Sequence, residues 1–282
     1  MYYGLLAIST FLFAAQFLFN QQYQRISGTS WTSTCTFALL VNGVGMCIQL
    51  VLCRFQLEFS WYSLSIASIQ AIASFVSTYA SLKALGMVNL AVYSMFSMLG
   101  GMALPFAYGV IFRGEPMTWM KAGCGLLITA ALVLTIKGEK NIWRNTRYYW
   151  AVFVLNGMAG VLSTIHQSNE ALRVSSSSYM VMSNLVGMAI AAGLLLAMNK
   201  GLPKLQWKQV GYASGYAAFT GIGNLLVLIA LTVLPASVQY PIITGGVICC
   251  STLVAVLRRE PVSRMTWYST GLALVASALI AL

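Results

Sequence analysis

Few side chains in this sequence can titrate, and their types limit the chemistry available. Sixteen Lys and Arg stand against five Glu; Asp is absent, and His166 is the only histidine. A lone imidazole can relay protons, because its unperturbed pKa lies near neutrality. With Ser163 one helical turn away it could also serve an intramembrane hydrolase. That chemistry needs a nucleophile, a base and an orienting third group. Neither a Gly-x-Ser-Gly elbow nor an acidic pair accompanies these residues, so no catalytic residue is assigned and His166 is read as structural. Cys35, Cys47, Cys53, Cys124, Cys249 and Cys250 lie in or beside apolar runs without metal-ligand spacing. They read as small packing residues. No metal site, cofactor or nucleotide-binding loop is expected.

Two acids recur in one setting, Glu115 before Pro116 and Glu260 before Pro261. They could gate a pathway. The simpler expectation is a helix-end carboxylate facing the next helix's N-terminus, worth about 0.3–1 kcal/mol. The remaining chemistry is neutral. Gln16, Asn42, Gln70, Ser74, Tyr79, Tyr93, Asn156, Asn184, Tyr216, Asn224, Gln239 and Tyr240 interrupt apolar stretches. Polar groups are costly in lipid when unpaired, so they are expected to face the interior of a bundle. Gln70 and Ser74 lie one turn apart and share a helix face.

The elements that hold these residues follow from composition. Of 282 residues, 59% are apolar and 7% charged, with mean hydropathy +0.79. Soluble domains carry about 25% charged residues. This chain cannot clothe a globule in charge, so a soluble enzyme is excluded and lipid is its solvent. The net charge of +11 does not indicate nucleic acid, because the basic residues sit in short clusters between apolar runs. A spanning helix needs about 20 mainly apolar residues. Ten such runs are predicted: 2–20, 30–52, 60–82, 87–111, 118–136, 148–166, 175–198, 208–231, 235–257 and 265–282. Trp31, Trp61, Trp119, Trp143, Tyr148, Tyr149, Trp150, Trp207 and Trp267 fall near run ends, as an interfacial belt does. The first run begins near Met1 without a basic leader, so no cleavable signal peptide is expected.

The longest break, 137–147, falls near the middle, and the sequence repeats across it. Asn42-Gly-Val-Gly-Met46 answers Asn184-Leu-Val-Gly-Met188, and Arg25-Ile-Ser27 answers Arg173-Val-Ser175. Gly100-Gly101 answers Gly245-Gly246, Glu115-Pro116 answers Glu260-Pro261, and Met117-Thr-Trp119 answers Met265-Thr-Trp267. All five matches keep their order at nearly one offset. The expected organisation is a first five-helix repeat over 1–137, a basic linker over 138–147 and a second repeat over 148–282. Five spans per half make the second half start on the opposite side, so the fold class is an all-α integral membrane protein of ten transmembrane helices in two inverted repeats. Inverted repeats place a substrate site at their interface and give alternating access.

Two five-helix halves with Gly-Glu-Pro at 114–116 and Arg-Glu-Pro at 259–261 resemble the drug/metabolite transporter superfamily, in its EamA-like branch. The resemblance covers nearly the whole chain. It implies a carrier for small metabolites whose first, third, fourth, sixth, eighth and ninth helices surround a cavity. That places Tyr93, Asn156, Asn224, Gln239 and Tyr240, with Gln70 and Ser74, among the substrate-binding candidates. Small multidrug carriers of this superfamily hold a carboxylate in their first helix; Ala14-Ala15-Gln16 stands in that region here, without an acid. The expected function is secondary transport, by export or exchange, of small polar organic metabolites in a plasma membrane. The expected partners are the small-molecule substrate and the lipid bilayer, with no nucleic acid, as a monomer or homodimer. The alternative is a non-transporting receptor, scaffold or assembly subunit. Loops after odd-numbered runs hold 12 of the 16 basic residues. On the positive-inside rule this puts both termini outside, whereas the resemblance implies both inside.

Overall fold

The computed structural model describes residues 2–88, 90–114, 116–138, 146–198, 205–260 and 262–281. Among them lie ten α-helices and no strand. They are α1 Tyr2–Ser27, α2 Trp31–Leu52, α3 Trp61–Leu85, α4 Leu90–Phe112, α5 Trp119–Gly138, α6 Thr146–Ser168, α7 Ser176–Ala197, α8 Trp207–Leu231, α9 Ala236–Leu257 and α10 Arg264–Ala281. Eight of these, all but α5 and α10, are long and apolar enough to cross a membrane. Apolar side chains face outward where lipid would lie, including Phe11, Ile72, Leu126, Leu185 and Leu253, while Trp119 and Trp207 stand almost fully exposed at helix starts. Tyr149 departs from the expected belt. Its ring is fully buried and packs 5.5 Å from the Phe96 ring, because this position of α6 faces α4. Trp143 and most of the 138–147 linker lie outside the described residues.

The first helix runs a full turn and more beyond its expected end at residue 20. The polar stretch from Gln21 stays helical because protein, rather than water, receives it. Tyr23 is fully buried with its ring 4.4 Å from Phe37, and Gln21 is bonded across the bundle. The helix stops at Gly28, whose φ of +72° suits glycine, with its N–H donating to Gln24 O.

The halves do not form separate bodies. Among the close helix pairs, only α9 with α10 joins neighbours in sequence. The others join a helix of the first five to one of the last five: α1 with α8 and α9, α2 with α7 and α8, α3 with α6 and α7, α4 with α6 and α9, and α5 with α10. Directions follow from the contacts. The C-terminal ends of α1, α3 and α9 share a face, since Arg25 reaches Glu260 and Gln24 lies under Gly86. The end of α6 meets the start of α3 on the other face, where His166 touches Ser63. The first helices of the two halves therefore run in opposite directions.

Small residues allow these close approaches. A Cβ on Gly100 of α4 would sit 2.1 Å from the carbonyl oxygen of Phe153 in α6. One contact is reciprocal. Gly187 of α7 lies against the Asn42 amide, and Gly45 of α2 lies against the Asn184 amide. These are the residues that match in the sequence repeat, each Asn covering the other segment's glycine.

Candidate functional site

A cavity of about 280 Å³ lies within the bundle. Every lining residue comes from α1–α4 or α6–α9. α5 and α10 stand outside as a pair held by hydroxyls, with Thr135 Oγ1 and Ser269 Oγ 2.7 Å apart. The pairing pattern accounts for the space: α3 packs on α6 and α7, α8 packs on α1 and α2, and α3 with α8 is not among the close pairs.

Five of the seven predicted pocket residues line this cavity: Gln70, Ser74, Asn156, Asn224 and Tyr240. Tyr179 Oη donates to Gln70 Oε1 at 2.5 Å, and Asn156 Nδ2 donates to Ser97 O at 2.6 Å. Tyr240 Oη donates to Gly160 O at 3.1 Å, fixing the phenol against α6. Asn224 and Ser74 are exposed into the space.

The other two do not line it. Gln239 is fully buried, with Nε2 donating to Val227 O of α8 at 2.8 Å. It adjoins Tyr240 in sequence, and successive helical side chains diverge by about 100°, so only one of the pair faces the cavity. Tyr93 turns instead to α1 and α3. Its ring sits edge-on to Phe17 at 5.4 Å, and its hydroxyl donates to Ser81 Oγ at 2.8 Å.

Further polar or aromatic positions on the lining include Gln16, Asn42, Asn184, Tyr216, Thr220 and Thr244. Thr220 Oγ1 donates to Gln16 Oε1 across α1 and α8. Asn42 and Asn184 do more than join helices, because both also face the cavity. Their place on α2 and α7 puts them outside the six helices that the family resemblance implies. The signal that could have found them was the repeat itself: a polar residue held at equivalent places in both halves. No Lys, Arg, Glu or His is among the lining residues.

Stacked rings lead away from the cavity at both ends. Tyr216 packs 5.0 Å from Phe37, which packs on Tyr23 toward the face that holds Arg25. At the other end Tyr179 stacks 4.0 Å from His166, with Tyr62 beyond it. His166 is fully buried; its Nε2 lies 3.0 Å from Ser63 Oγ, which accepts the Val174 N–H at 3.2 Å. Its ring is a packing element between α3 and α7. Ser163, the residue weighed as a nucleophile, lines the cavity, but the imidazole does not.

Of the two repeated acids, Glu115 lies outside the described residues. Glu260 does not serve the helix that follows it. α9 ends with Arg259 at φ +56°; the Arg259 N–H donates to Val256 O and the Glu260 N–H to Ala255 O, so the chain doubles back. That turn aims the carboxylate across the bundle. Oε1 pairs with Arg25 at 3.0 Å and accepts from Gln21 Nε2 at 3.2 Å, while Oε2 accepts the Leu90 N–H at 3.3 Å at the start of α4. Arg258 also donates to Gln21 Oε1 at 2.6 Å. One carboxylate thus ties together α1, α4 and the α9–α10 turn on the basic face.

No family model matches this chain, and no curated protein matches it. Twenty-seven chains of solved structures match. One, described only as a crystal structure of a protein, is 12% identical and superposes with a TM-score of 0.70 over 98% of this chain and 94% of that one. At that identity the likeness shows the fold alone.

Proposed function

We propose that this chain is a secondary carrier for small polar organic metabolites, of the drug/metabolite transporter type, working by alternating access in a plasma membrane. It moves its substrate without transforming it. The observation that carries this reading is the cavity between the first four helices of one half and the first four of the other. A carrier needs a site that both sides of the membrane can reach in turn, and inverted halves supply two equivalent ways to close around it.

Three further observations support inverted repeats. Exchanging each helix for the one five places on leaves the set of close cross-half pairs unchanged. The Asn–Gly contacts of α2 and α7 are reciprocal. Phe37 and Tyr179, at the same offset as Asn42 and Asn184, each stand in the ring stack at one end of the cavity. The face that gathers Arg25, Lys83, Arg147, Lys208 and Arg258 is the cytoplasmic one on the positive-inside rule.

The test is counterflow in proteoliposomes. Purified protein is reconstituted and preloaded with candidate solutes, and labelled solute is added outside. Saturable accumulation against excess internal solute, weakened by Ala at Gln70, Asn156 or Asn224, is the expected result. A receptor or scaffold gives no accumulation above empty vesicles, and that result would end the proposal.

A further inference from the structure

Six carboxamides converge on the cavity: Gln16, Asn42, Gln70, Asn156, Asn184 and Asn224. Their hydrogen bonds are incomplete in a patterned way. Gln16 and Gln70 each accept a hydroxyl proton on the oxygen, which leaves their NH2 groups without a partner among the described residues. Asn42 and Asn156 each donate from the nitrogen, to Ala38 O and Ser97 O, which leaves their carbonyl oxygens unused. Asn184 and Asn224 make no hydrogen bond among the described residues. The cavity therefore offers free donors and free acceptors together, with no formal charge on its wall.

From this we infer, building on the carrier reading, that the site selects solutes uncharged at neutral pH that carry both donors and acceptors, and rejects anions, cations and zwitterions. An ion leaving water for a poorly solvated site needs an opposite charge or a helix end to replace its hydration. Transporters that bind carboxylates commonly supply one by breaking a helix at mid-membrane. Here the lining helices pass the cavity unbroken. α7 and α9 begin about one turn before their lining residues Tyr179 and Tyr240, and the start of α7 is already met by the Glu58 carboxylate, 2.6 Å from the Ser175 N–H. A neutral amide, lactam or nucleobase-like solute asks for no counter-charge and exchanges its water hydrogen bonds for those of the carboxamides.

The experiment compares matched probes on purified protein in lipid nanodiscs. One set shares a pyridine ring: nicotinamide (neutral), nicotinate (anion) and 3-(aminomethyl)pyridine (cation). A second set is N-acetyl-phenylalaninamide against zwitterionic phenylalanine. Binding is read by thermal stabilisation and calorimetry. The expected result is at least a tenfold preference for the neutral member of each set, lost in Asn184→Ala and Asn224→Ala. Asn224→Asp is expected to reverse the order within the first set, favouring the aminomethyl cation. Equal or tighter binding of a charged member overturns the inference, as does failure of every neutral member to bind at millimolar concentration. Preference for nicotinate would point instead to the start of α9. Neutral-selective binding without counterflow would leave this inference standing and remove the carrier reading.

Discussion

Gly100→Ala tests the packing between the first five helices and the last five. Gly100 and Phe153 belong to α4 and α6, one in each half, and their backbones touch. A Cβ at residue 100 would lie 2.1 Å from Phe153 O and 2.6 Å from its carbonyl carbon and Cα, whereas ordinary contact begins near 3.4 Å. The helices must part by about 1 Å, because no side chain stands in the way that could rotate aside. Overpacking of this kind costs about 1–3 kcal/mol, sometimes more, against a gain of about 0.5–1 kcal/mol from removing a mid-helix glycine. The net is a destabilisation of about 1–2 kcal/mol, or a fall of roughly 2–8 °C in Tm at about 2–4 °C per kcal/mol for a large domain. Thermal unfolding of purified protein, followed by aggregation on size exclusion, measures it. Gly193→Ala is the control, since nothing lies within 4 Å of a Cβ there, and it should leave Tm unchanged or raise it. A second contrast isolates the cause. At Gly215 the obstacle is the Phe19 ring, 2.3 Å away, so Gly215→Ala should couple strongly to Phe19→Ala in a double-mutant cycle. Gly100→Ala should show no such rescue by Phe153→Ala, because its obstacle is main chain. A Gly100→Ala protein as stable as wild type, or one rescued by Phe153→Ala, would refute the contact and the close α4–α6 packing with it.

Other expectations concern the basic face and the buried polar groups. Glu260→Ala should destabilise by about 1–3 kcal/mol in thermal unfolding, because it strips a charge-assisted network from Gln21, Arg25 and the Leu90 N–H. Arg25→Ala, at a half-exposed partner, should cost less than about 1 kcal/mol. Tyr93→Phe should cost about 0.6 kcal/mol through the lost Ser81 bond and leave ligand binding unchanged, since Tyr93 does not line the cavity. Labelling of a cysteine placed at Lys208 by a membrane-impermeant maleimide should fail from outside whole cells; labelling there would reverse the assigned orientation.

Much of the fold was legible because lipid removes alternatives. Backbone groups in a bilayer must bond within a helix or a closed barrel, so apolar runs of the right length without two-residue alternation specify helices. Most run boundaries agree within a few residues with the helix ends. They failed at Gln21–Ser27, where the polar residues are bonded to Glu260 and Arg258 from the far end of the chain. The pocket was legible as a set and less so by residue. Asn156 and Asn224 could be picked out because an unpaired amide in an apolar run must face inward, but Gln239 meets the same criterion and spends its amide on Val227 O. Which inward neighbour a helix presents to a cavity depends on its rotation, and that is set by the helices packed around it rather than by its own sequence. Glu260 shows the same limit. Its αL turn is built on Arg259, with no glycine to announce it, so the sequence points the acid at α10 while the backbone aims it at α4.

The distribution of tight and open contacts bears on how such a bundle could move. Backbone-to-backbone approach is concentrated where α4 meets α6, at Gly100 and Gly157, with a second close contact where a Cβ on Gly246 of α9 would lie 2.5 Å from the Thr10 side chain of α1. Helices so joined cannot slide without clash, so each pair behaves as one rigid piece. α3 and α8 differ: each is clasped by helices of the other five, α6 and α7 or α1 and α2, and the two are not among the close pairs. Relative motion of the α3 side and the α8 side would turn about the α2–α7 contact, where Asn42 meets Gly187 and Asn184 meets Gly45. The ring pairs at the cavity ends, Tyr216 with Phe37 and Tyr179 with His166, each lie within one side, so they would move with it. The Glu260 network holds only the basic face. Glu260→Gln should thus shift the balance toward opening on that face, which is measurable as faster maleimide labelling of Tyr216→Cys. Unchanged labelling would show that the ring stack alone sets access there.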